Sequence, residues 1–239
     1  MNKLRLFLSF LKIFFRGELE KEYFFLPKIF RSYAPRKSVA LDIGSNIGLY
    51  SFLLSFYFDK VYSFEPILEM CQRCHGIKKN IFINNVALGD KISQQIINTP
   101  IVNGKKVYGL SSISNVFQES HQQLVHIKRL DDYSDIKNVG FIKIDTEGFE
   151  DRVIAGARET IAENRPILMI EIEKRHNIES FQNISDIMKE LNYKGFYLHA
   201  NELKLIDSFS FDLYQKLTPS GKCIRPYLNN FFYLPKEKI

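Results

Sequence analysis

A carboxylate and two glycines, placed close together, form the first pattern that could do chemistry. In the segment VALDIGSNIG, Asp42 stands near the end of a short apolar strand, and Gly44 and Gly48 lie in the turn before an apolar helix. Glycine lets the backbone approach a ligand where a Cβ atom would clash. The spacing is not the Gly-x-Gly-x-x-Gly of dinucleotide sites, whose pyrophosphate a carboxylate would repel. Asp42 suits a cationic amino group instead, such as that of S-adenosylmethionine, although a plain strand-to-helix turn would also explain the pattern.

Residues after the next two apolar stretches could hold the rest of a nucleoside. Glu65 ends the second stretch, where one carboxylate can accept hydrogen bonds from both ribose hydroxyls. Pro66 suits the first turn of the helix that follows. Asn85 comes after the third stretch and is predicted to hydrogen-bond an adenine edge, while Val86 and Ala87 pack on the base. An asparagine-rich turn without a ligand is the alternative for this last group.

Charged residues in and after a fourth apolar stretch are the candidates for catalysis. In FIKIDTEGFE, Lys143 and Asp145 share one face of the predicted strand, and Glu147 follows. Because unpaired buried charges are costly, Lys143 is predicted to neutralise Asp145 or Glu147. Asp145 is the leading candidate for a general base, assisted by Glu147, Glu171 or His176. In a metal-dependent reaction, Asp145 and Glu171 would bind Mg²⁺ or another divalent ion; a structural ion network is the alternative for the whole set.

Strand-like and helix-like segments alternate from residue 38 onward and would position these side chains. The predicted strands are 39–43, 61–64, 81–83, 141–145, 167–172, 196–199 and 231–234, and the predicted helices are 47–57, 67–77, 150–162 and 184–191. Segments 94–98 and 106–110 are predicted to pair around the turn Asn103-Gly104, with 125–128 as one further strand. Repeated strand–helix units predict an α/β fold, in which a mostly parallel sheet carries helices on both faces. Ligands of such sheets bind beyond the carboxyl ends of the strands.

Length, charge and cysteine usage set limits on the class of protein. The 239 residues, 45% of them hydrophobic, suffice for one sizeable domain. The net charge of +6 favours anionic partners such as nucleic acid, phosphate-bearing substrates or a membrane surface, or else is a solvated surface property. Three cysteines make no disulfide framework, which is consistent with a reducing cytoplasm. Cys71 and Cys74 fall in a predicted helix, and core packing explains them better than metal or redox chemistry.

The first 37 residues are predicted to form a helical extension ahead of a main domain at 38–239. The apolar runs within residues 1–16 are too short to span a membrane. On a helix, the polar residues of this segment form one narrow stripe, made by Arg5, Ser9, Lys12 and Arg16. A helix of this kind suits a membrane interface or packs on the protein's own core. A second short helical piece, 23–31, is predicted to be interrupted at Pro27.

These motifs together resemble the FkbM family of class I methyltransferases. The likeness is carried by LDIGSNIGLYS, SFEP, NNVALGD, RLDDY and FIKIDTEGFEDRVIAGA, which are spread over somewhat more than half of the chain. The resemblance implies a Rossmann-like fold with a seven-stranded sheet and methyl transfer from S-adenosylmethionine, usually to oxygen. It implies that the cofactor's amino-acid end lies on the loop that contains Asp42, Gly44, Ser45, Asn46 and Gly48, and that Glu65 holds the ribose.

The expected function is O-methylation of a sugar or glycan hydroxyl on a bacterial surface polysaccharide or its lipid-linked precursor. The resemblance supplies the glycan, and the basic amphipathic N-terminus supplies peripheral contact with the inner face of the cell membrane. A macrolide-type natural product is the alternative acceptor, and a non-catalytic module that keeps the fold is the alternative of a different class. A nucleic-acid acceptor is disfavoured because the sequence has no amine-methylating Asn-Pro-Pro-Tyr motif and no recognisable RNA-binding module.

Overall fold

The computed structural model describes residues 21–34, 38–176, 178–219 and 221–239, apart from the side chain of Ile178. The strands are β1 (Val39–Ile43), β2 (Lys60–Phe64), β3 (Ile81–Asn84), β4 (Ala87–Leu88), β5 (Ser93–Val102), β6 (Lys105–Lys106), β7 (Ser120–Lys128), β8 (Val139–Ile144), β9 (Ile167–Glu171), β10 (Tyr193–His199), β11 (Glu202–Leu205) and β12 (Asn230–Pro235). The α-helices are α1 (Lys21–Tyr33), α2 (Leu49–Leu54), α3 (Leu68–Cys74), α4 (Glu150–Ala155), α5 (Arg158–Asn164), α6 (Ile178–Glu190) and α7 (Phe211–Tyr214).

Eight strands form the central sheet, in the order β3-β2-β1-β8-β9-β12-β10-β11. The strands from β3 to β9 in this order run parallel, whereas β12 is antiparallel to both β9 and β10. The chain order reverses between β1 and β8, so the carboxyl ends of these two strands open a crevice suited to a ligand. The main domain is therefore α/β with a mostly parallel sheet.

The expected number of seven strands is wrong by one. The additional strand, β11, pairs antiparallel with the outer edge of β10. The two residues between these strands, Ala200 and Asn201, both have positive φ, which is the backbone geometry of a tight hairpin turn. The chain thus folds back and covers an edge of the sheet that would otherwise be unpaired.

Two apolar clusters cover the two faces of the sheet. On one face, residues of α4, α5 and α6 such as Ile154, Ile161 and Ile184 pack on inward side chains of β1, β8 and β9. On the other face, α1 and α2 pack on Phe141, Met169 and the neighbouring strands. All six residues of β8 are buried, including Lys143. The candidate catalytic strand therefore runs through the middle of the core, which fixes the position of every side chain that it carries.

The segment between β3 and β8 folds differently from the prediction. The turn at Asn103-Gly104 is present, but only the two residues of β6 return to β5 there. The main antiparallel partner of β5 is β7, and Tyr108–Leu110 forms a 3-10 turn in place of a strand. A second, four-stranded sheet of order β4-β7-β5-β6 results. Local turn chemistry marks a reversal of the chain, but the longer ladder with more buried contacts decides which strands pair.

Two predicted helices also differ from those observed. The helix predicted over 150–162 is divided, because α4 ends at Ala155 and α5 begins at Arg158. A Cβ atom on Gly156, between them, would lie 1.9 Å from the carbonyl oxygen of Gly89, so the chain is in tight contact with another segment there. Helix α1 is continuous through Pro27, which was predicted to interrupt it. Burial of the apolar face of α1 offsets the backbone hydrogen bond that proline removes.

Residues 1–16, predicted to form a helix that lies in a membrane interface or packs on the protein's own core, lie outside the described residues. Within the part of the chain that is described, no helix is long and apolar enough to cross a membrane.

Candidate active site

A cleft with about 630 Å³ of empty space, part of it open solvent, lies at the carboxyl ends of β1, β2 and β8. The cleft is lined by Ile43, Gly44, Asn46, Phe64, Glu65, Pro66, Ile67, Ala87, Leu88, Ile97, Tyr108, Gly109, Ser111, Ile113, Asp145, Thr146, Glu147 and Phe149. Several residues singled out from the sequence for cofactor binding or catalysis therefore share one cavity: Gly44, Asn46, Glu65, Pro66, Ala87, Asp145 and Glu147.

The glycine loop after β1 is pressed against the end of β8. Gly44 has a φ of +76°, and a Cβ atom there would lie 1.7 Å from the carbonyl oxygen of Asp145. Gly48, with a φ of +78°, begins α2. Asn46 also has positive φ, and its side of the loop faces the cleft. Only glycine at position 44 allows the two backbones to meet, and their contact forms the floor of the cleft.

Asp42 lies beneath this loop and is completely buried. Its Oδ2 accepts a hydrogen bond of 2.5 Å from the hydroxyl of Ser51, whereas its Oδ1 has no hydrogen-bond partner within the described residues. Burial raises the pKa of this carboxyl. Ser45 accepts a hydrogen bond of 2.6 Å from Ser63, and neither Ser45 nor Asp42 lines the cleft directly. An unpartnered buried carboxylate oxygen is uncommon, and it marks Asp42 as a group suited to a further polar partner.

Glu65 joins the loops after β1 and β2. Its Oε2 accepts a hydrogen bond of 2.8 Å from the backbone N–H of Asn46, and its Oε1 accepts one of 2.9 Å from that of Ile67. The side chain is buried but lines the cleft, and burial raises its pKa to about 7. Each carboxylate oxygen can accept a further hydrogen bond, so Glu65 can hold ribose hydroxyls while it fixes both loops.

Asn85 is directed toward the protein in this structure. Its side-chain amide donates hydrogen bonds to the carbonyl oxygens of Glu65 and Pro66, at 3.0 and 2.8 Å, and the residue does not line the cleft. Val86 is buried, and Ala87 and Leu88 form part of the apolar wall. The predicted contact between Asn85 and an adenine edge remains a prediction; the observed bonds support the loop that carries Glu65.

Lys143 pairs with Asp145 and not with Glu147. The distance from its Nζ to Asp145 Oδ2 is 2.8 Å, and Nζ lies 4.5 Å from the centre of the Tyr50 ring. Lys143 is 1% exposed, so its charge depends on these neighbours. Asp145 lines the cleft at the end of the buried strand. The lysine therefore orients the aspartate from within the core.

A second group of polar side chains meets at Glu147. His176 Nε2 lies 2.8 Å from Glu147 Oε2 and 3.5 Å from Glu173 Oε2, and Asn115 Nδ2 lies 2.7 Å from His176 Nδ1. Burial opposes the charged form of His176, but the two nearby carboxylates outweigh it and raise the histidine pKa to about 9. Burial raises the pKa of Glu147. Glu147 has a φ of +55°, and its carbonyl accepts a hydrogen bond of 2.6 Å from Ser112.

The predicted metal ligands are not part of a metal-binding cluster in the described residues. No group of three or more His, Cys, Asp or Glu is arranged there to hold an ion. Asp145 is paired with Lys143, and Glu171 accepts a hydrogen bond of 2.5 Å from the side chain of Asn229. The structure therefore shows an ion pair at Asp145 and a hydrogen bond with a neutral amide at Glu171, and the metal-binding role of both stays a prediction.

Sequence reasoning missed one whole wall of the cleft. This wall comes from the segment between β6 and β7 and consists of Tyr108, Gly109, Ser111 and Ile113. Tyr108 donates a hydrogen bond to Glu69, which joins this wall to α3. Asn115, which contacts His176, was also missed. The sequence signals a turn in this region but contains no motif that indicates how the turn folds over the site.

The chain matches the Methyltransferase FkbM domain family over residues 42–195. Among solved structures, a methyltransferase FkbM from Methylobacillus flagellatus KT is similar, with a TM-score of 0.53 and 16% sequence identity. That similarity covers 82% of this chain and 43% of the other, so this chain spans less than half the length of that protein. No curated protein matches the chain.

Two further solved structures are less similar. An rRNA methylase from Streptococcus thermophilus has a TM-score of 0.47 and 12% identity, covering 90% of this chain and 93% of that one. SMU.1697c from Streptococcus mutans, solved in complex with SAH, has a TM-score of 0.48 and 12% identity, covering 90% and 99%. The fold assignment depends on the similarity to the methyltransferase FkbM structure and on the strand order. The family assignment depends on the match to the family, which spans well over half of the chain. The fold is that of the class I methyltransferases, and the chain belongs to the FkbM methyltransferase family.

Proposed function

We propose that this protein transfers the methyl group of S-adenosylmethionine to a hydroxyl of a sugar or glycan. The observation that carries the proposal is the cleft itself. Its floor is the contact between Gly44 and Asp145, one side holds the ribose-type carboxylate Glu65, and the other side holds Glu147 with its histidine partner. A nucleoside-binding side and a proton-accepting side thus face the same cavity.

The residues present fit the cofactor. Glu65 has acceptor capacity for ribose hydroxyls, the buried Asp42 has an oxygen without a partner, and glycine at position 44 lets the loop close against the end of β8. When bound, S-adenosylmethionine supplies a methyl group already activated by its sulfonium. Asp42 would attract the positive charge of the amino-acid end, and Ala87 and Leu88 would offer an apolar surface to the base.

The remaining task for the protein is to align a hydroxyl and accept its proton. The raised pKa of His176, about 9, favours its protonated form, which makes the histidine a weaker candidate for the base than a carboxylate that lines the cleft. Glu147 lines the cleft and has a raised pKa, so it is the base that the geometry favours, with His176 orienting it. Asp145, oriented by Lys143, lies beside the same cavity and is the second candidate.

Cofactor binding can be tested by calorimetric titration with S-adenosylhomocysteine, in parallel with NAD. We expect saturable binding of S-adenosylhomocysteine alone, and a loss of about tenfold or more in Glu65→Ala, because the variant leaves ribose hydroxyls without their acceptor. Glu190→Gln, on the exposed surface of α6, is the matched control and should bind normally. A folded protein that binds neither ligand would support the non-catalytic alternative.

The acceptor we propose is a bacterial surface polysaccharide or its lipid-linked precursor, approached from the inner face of the cell membrane. The family assignment and the amphipathic pattern of residues 1–16 support this choice. A panel of glycan, lipid-linked and macrolide-type acceptors, incubated with labelled methyl donor, would identify the class. Label on a macrolide-type compound alone would favour the natural-product alternative. Label on a glycan that is lost in Glu147→Gln, while cofactor binding persists, would support both the acceptor and the base.

A further inference from the structure

The segment between α7 and β12 exposes apolar and cationic side chains side by side. We define this rim segment as residues 213–219 and 221–229. Leu213, Leu217 and Ile224 are 51%, 37% and 42% exposed. The exposed cations of the segment are Lys216, Lys222 and Arg225. Single exposed apolar residues are ordinary on protein surfaces, but a short segment that alternates them with cations is a different pattern.

The charge of the rim segment is not compensated by neighbouring acids. The sequence contains no Asp or Glu between Asp212 and Glu237. Asp212 lies 3.1 Å from Lys174, and Glu173 is paired with Arg175. Within the described residues, the side chains of the three rim cations have no ion pair and no hydrogen bond. The segment therefore presents a positive field to the solvent.

The rim segment lies at the same end of the sheet as the cleft. It leads into β12, which is antiparallel to β9, so that Asn230 is opposite Glu171 at the carboxyl end of β9. The buried amide of Gln215 donates to the carbonyl of Ile172 at 2.7 Å, and Asn229 donates to Glu173 at 3.0 Å. Through Glu173 the segment is joined to His176 and Glu147 of the cleft.

We propose that the rim segment docks on a membrane surface rich in anionic lipid phosphates and holds the cleft beside that surface. Cations attract the phosphate layer, and the neighbouring leucine and isoleucine side chains bury apolar area at the headgroup boundary. A small soluble anion would use the cations but would leave the three apolar side chains in water. The role of this docking in methyl transfer rests on the proposed lipid-linked acceptor. Docking itself can be measured in the absence of any methyl transfer.

Cys223, between Lys222 and Ile224, allows docking to be observed locally. It is exposed, whereas Cys71 and Cys74 are buried, so a thiol-reactive, environment-sensitive dye should label it selectively in the full-length chain. With phosphatidylcholine vesicles containing phosphatidylglycerol, we expect a blue shift and quenching by a lipid-borne quencher. With phosphatidylcholine alone we expect neither. This readout reports the rim segment even if residues 1–16 bind the same vesicles.

Two variants separate the contribution of the cations to membrane docking from that of the apolar side chains. K216Q/K222Q/R225Q should weaken the dye response to anionic vesicles by about tenfold or more, because each cation contributes separately near a charged surface. L217S/I224S should abolish quenching by the lipid-borne quencher. The matched control is K189Q/K194Q/K236Q, which removes the same charge from a separate cleft at the opposite end of the sheet. That control should respond like the wild type.

The proposal is overturned if the dye at Cys223 stays in water while the protein is bound to anionic vesicles. It is equally overturned if the control variant loses the response as much as the rim variant does. A dye moved to the opposite end, in C223S/K194C, should remain in water throughout. Calorimetry with S-adenosylhomocysteine is run on the same samples, so a failure of docking with intact cofactor binding leaves the methyltransferase proposal standing, and the reverse result leaves docking standing.

Discussion

At the scale of the residue, the cleft depends on charged side chains that the strands carry into the core and hold beside the glycine loop. Asp42 and Glu65 stand at the ends of apolar strands, and the structure buries both next to the glycine loop. Strand alternation places Lys143 on the same face as Asp145, and the two are in contact. The positions of Asn85 and His176 could not be predicted from the sequence, because they depend on partners distant in sequence. The amide of Asn85 is used by a neighbouring loop, and His176 is held by residues 115, 147 and 173.

Glu65 should make cofactor binding depend on pH near neutrality. Burial raises its pKa to about 7, and only the ionised form accepts hydrogen bonds from two backbone N–H groups and from ribose hydroxyls together. Raising the pH from 6 to 8 converts a mostly protonated carboxyl into a mostly ionised one. Affinity for S-adenosylhomocysteine should therefore increase by about tenfold over this interval. Calorimetric titrations at three pH values would measure it.

The control for this pH effect is Glu65→Gln, which has no titrating group at the position. Its affinity should be lower than that of the wild type at pH 8 and should change little between pH 6 and 8. An equal rise of affinity in wild type and Glu65→Gln would assign the pH dependence to another group.

At the scale of the element, apolar runs and their spacing predict the strands of the large sheet, because a strand buried on both faces reads as a continuous apolar segment. The same reasoning fails where pairing is decided at long range. Which strand β5 pairs with depends on the ladder of eight residue pairs that it forms with β7 and not on the local Asn103-Gly104 turn. The additional strand, β11, has only four residues, and the alternation of Leu203 and Leu205 with charged residues is too short to predict a strand by itself.

The contact between the loop after β1 and the end of β8 should depend on glycine at position 44. In Gly44→Ala, the new Cβ atom would lie 1.7 Å from the backbone oxygen of Asp145, and the positive φ would also be strained. We expect a loss of stability of at least about 3 kcal/mol and loss of S-adenosylhomocysteine binding. Urea denaturation and calorimetry would measure the two effects.

Gly104→Ala is the matched control for Gly44→Ala. Gly104 has a similar φ of +70°, but a Cβ atom there has no atom within 4 Å. Its substitution should cost only about 1 kcal/mol, from backbone conformation alone, and should leave cofactor binding unchanged. Equal effects of the two substitutions would mean that the close approach of the loops has no energetic role.

At the scale of the whole molecule, the site is assembled from segments that the sequence keeps far apart. The cleft wall with Tyr108 and Ser111, the exit of β8 with Glu147 and the exit of β9 with His176 meet only after the sheet has formed. Motifs close in sequence, such as the glycine loop, could be found directly. The side of the cleft with Glu147 and His176 could not be found in this way, because its residues have no common spacing in the sequence and acquire their properties from one another.

The histidine cluster that joins these segments should make global stability depend on pH. The pKa of His176 in the folded protein is about 9, above the 6.5 of an unfolded histidine, so its ion pairs stabilise the fold fully below pH 6.5. That contribution is lost as the pH rises through 9. We expect the free energy of unfolding to fall by about 3 kcal/mol between pH 6.5 and 9.5.

Urea denaturation across this pH range, in wild type, His176→Gln and His121→Gln, would isolate the effect. His121 is exposed, so its substitution should leave the profile unchanged. His176→Gln should be less stable at pH 6.5 and should show a flatter profile up to pH 9.5. A wild-type profile that falls no more steeply than that of His176→Gln would show that the imidazole is not charged in the cluster, and the assignment of Glu147 as the base would then have to yield to His176.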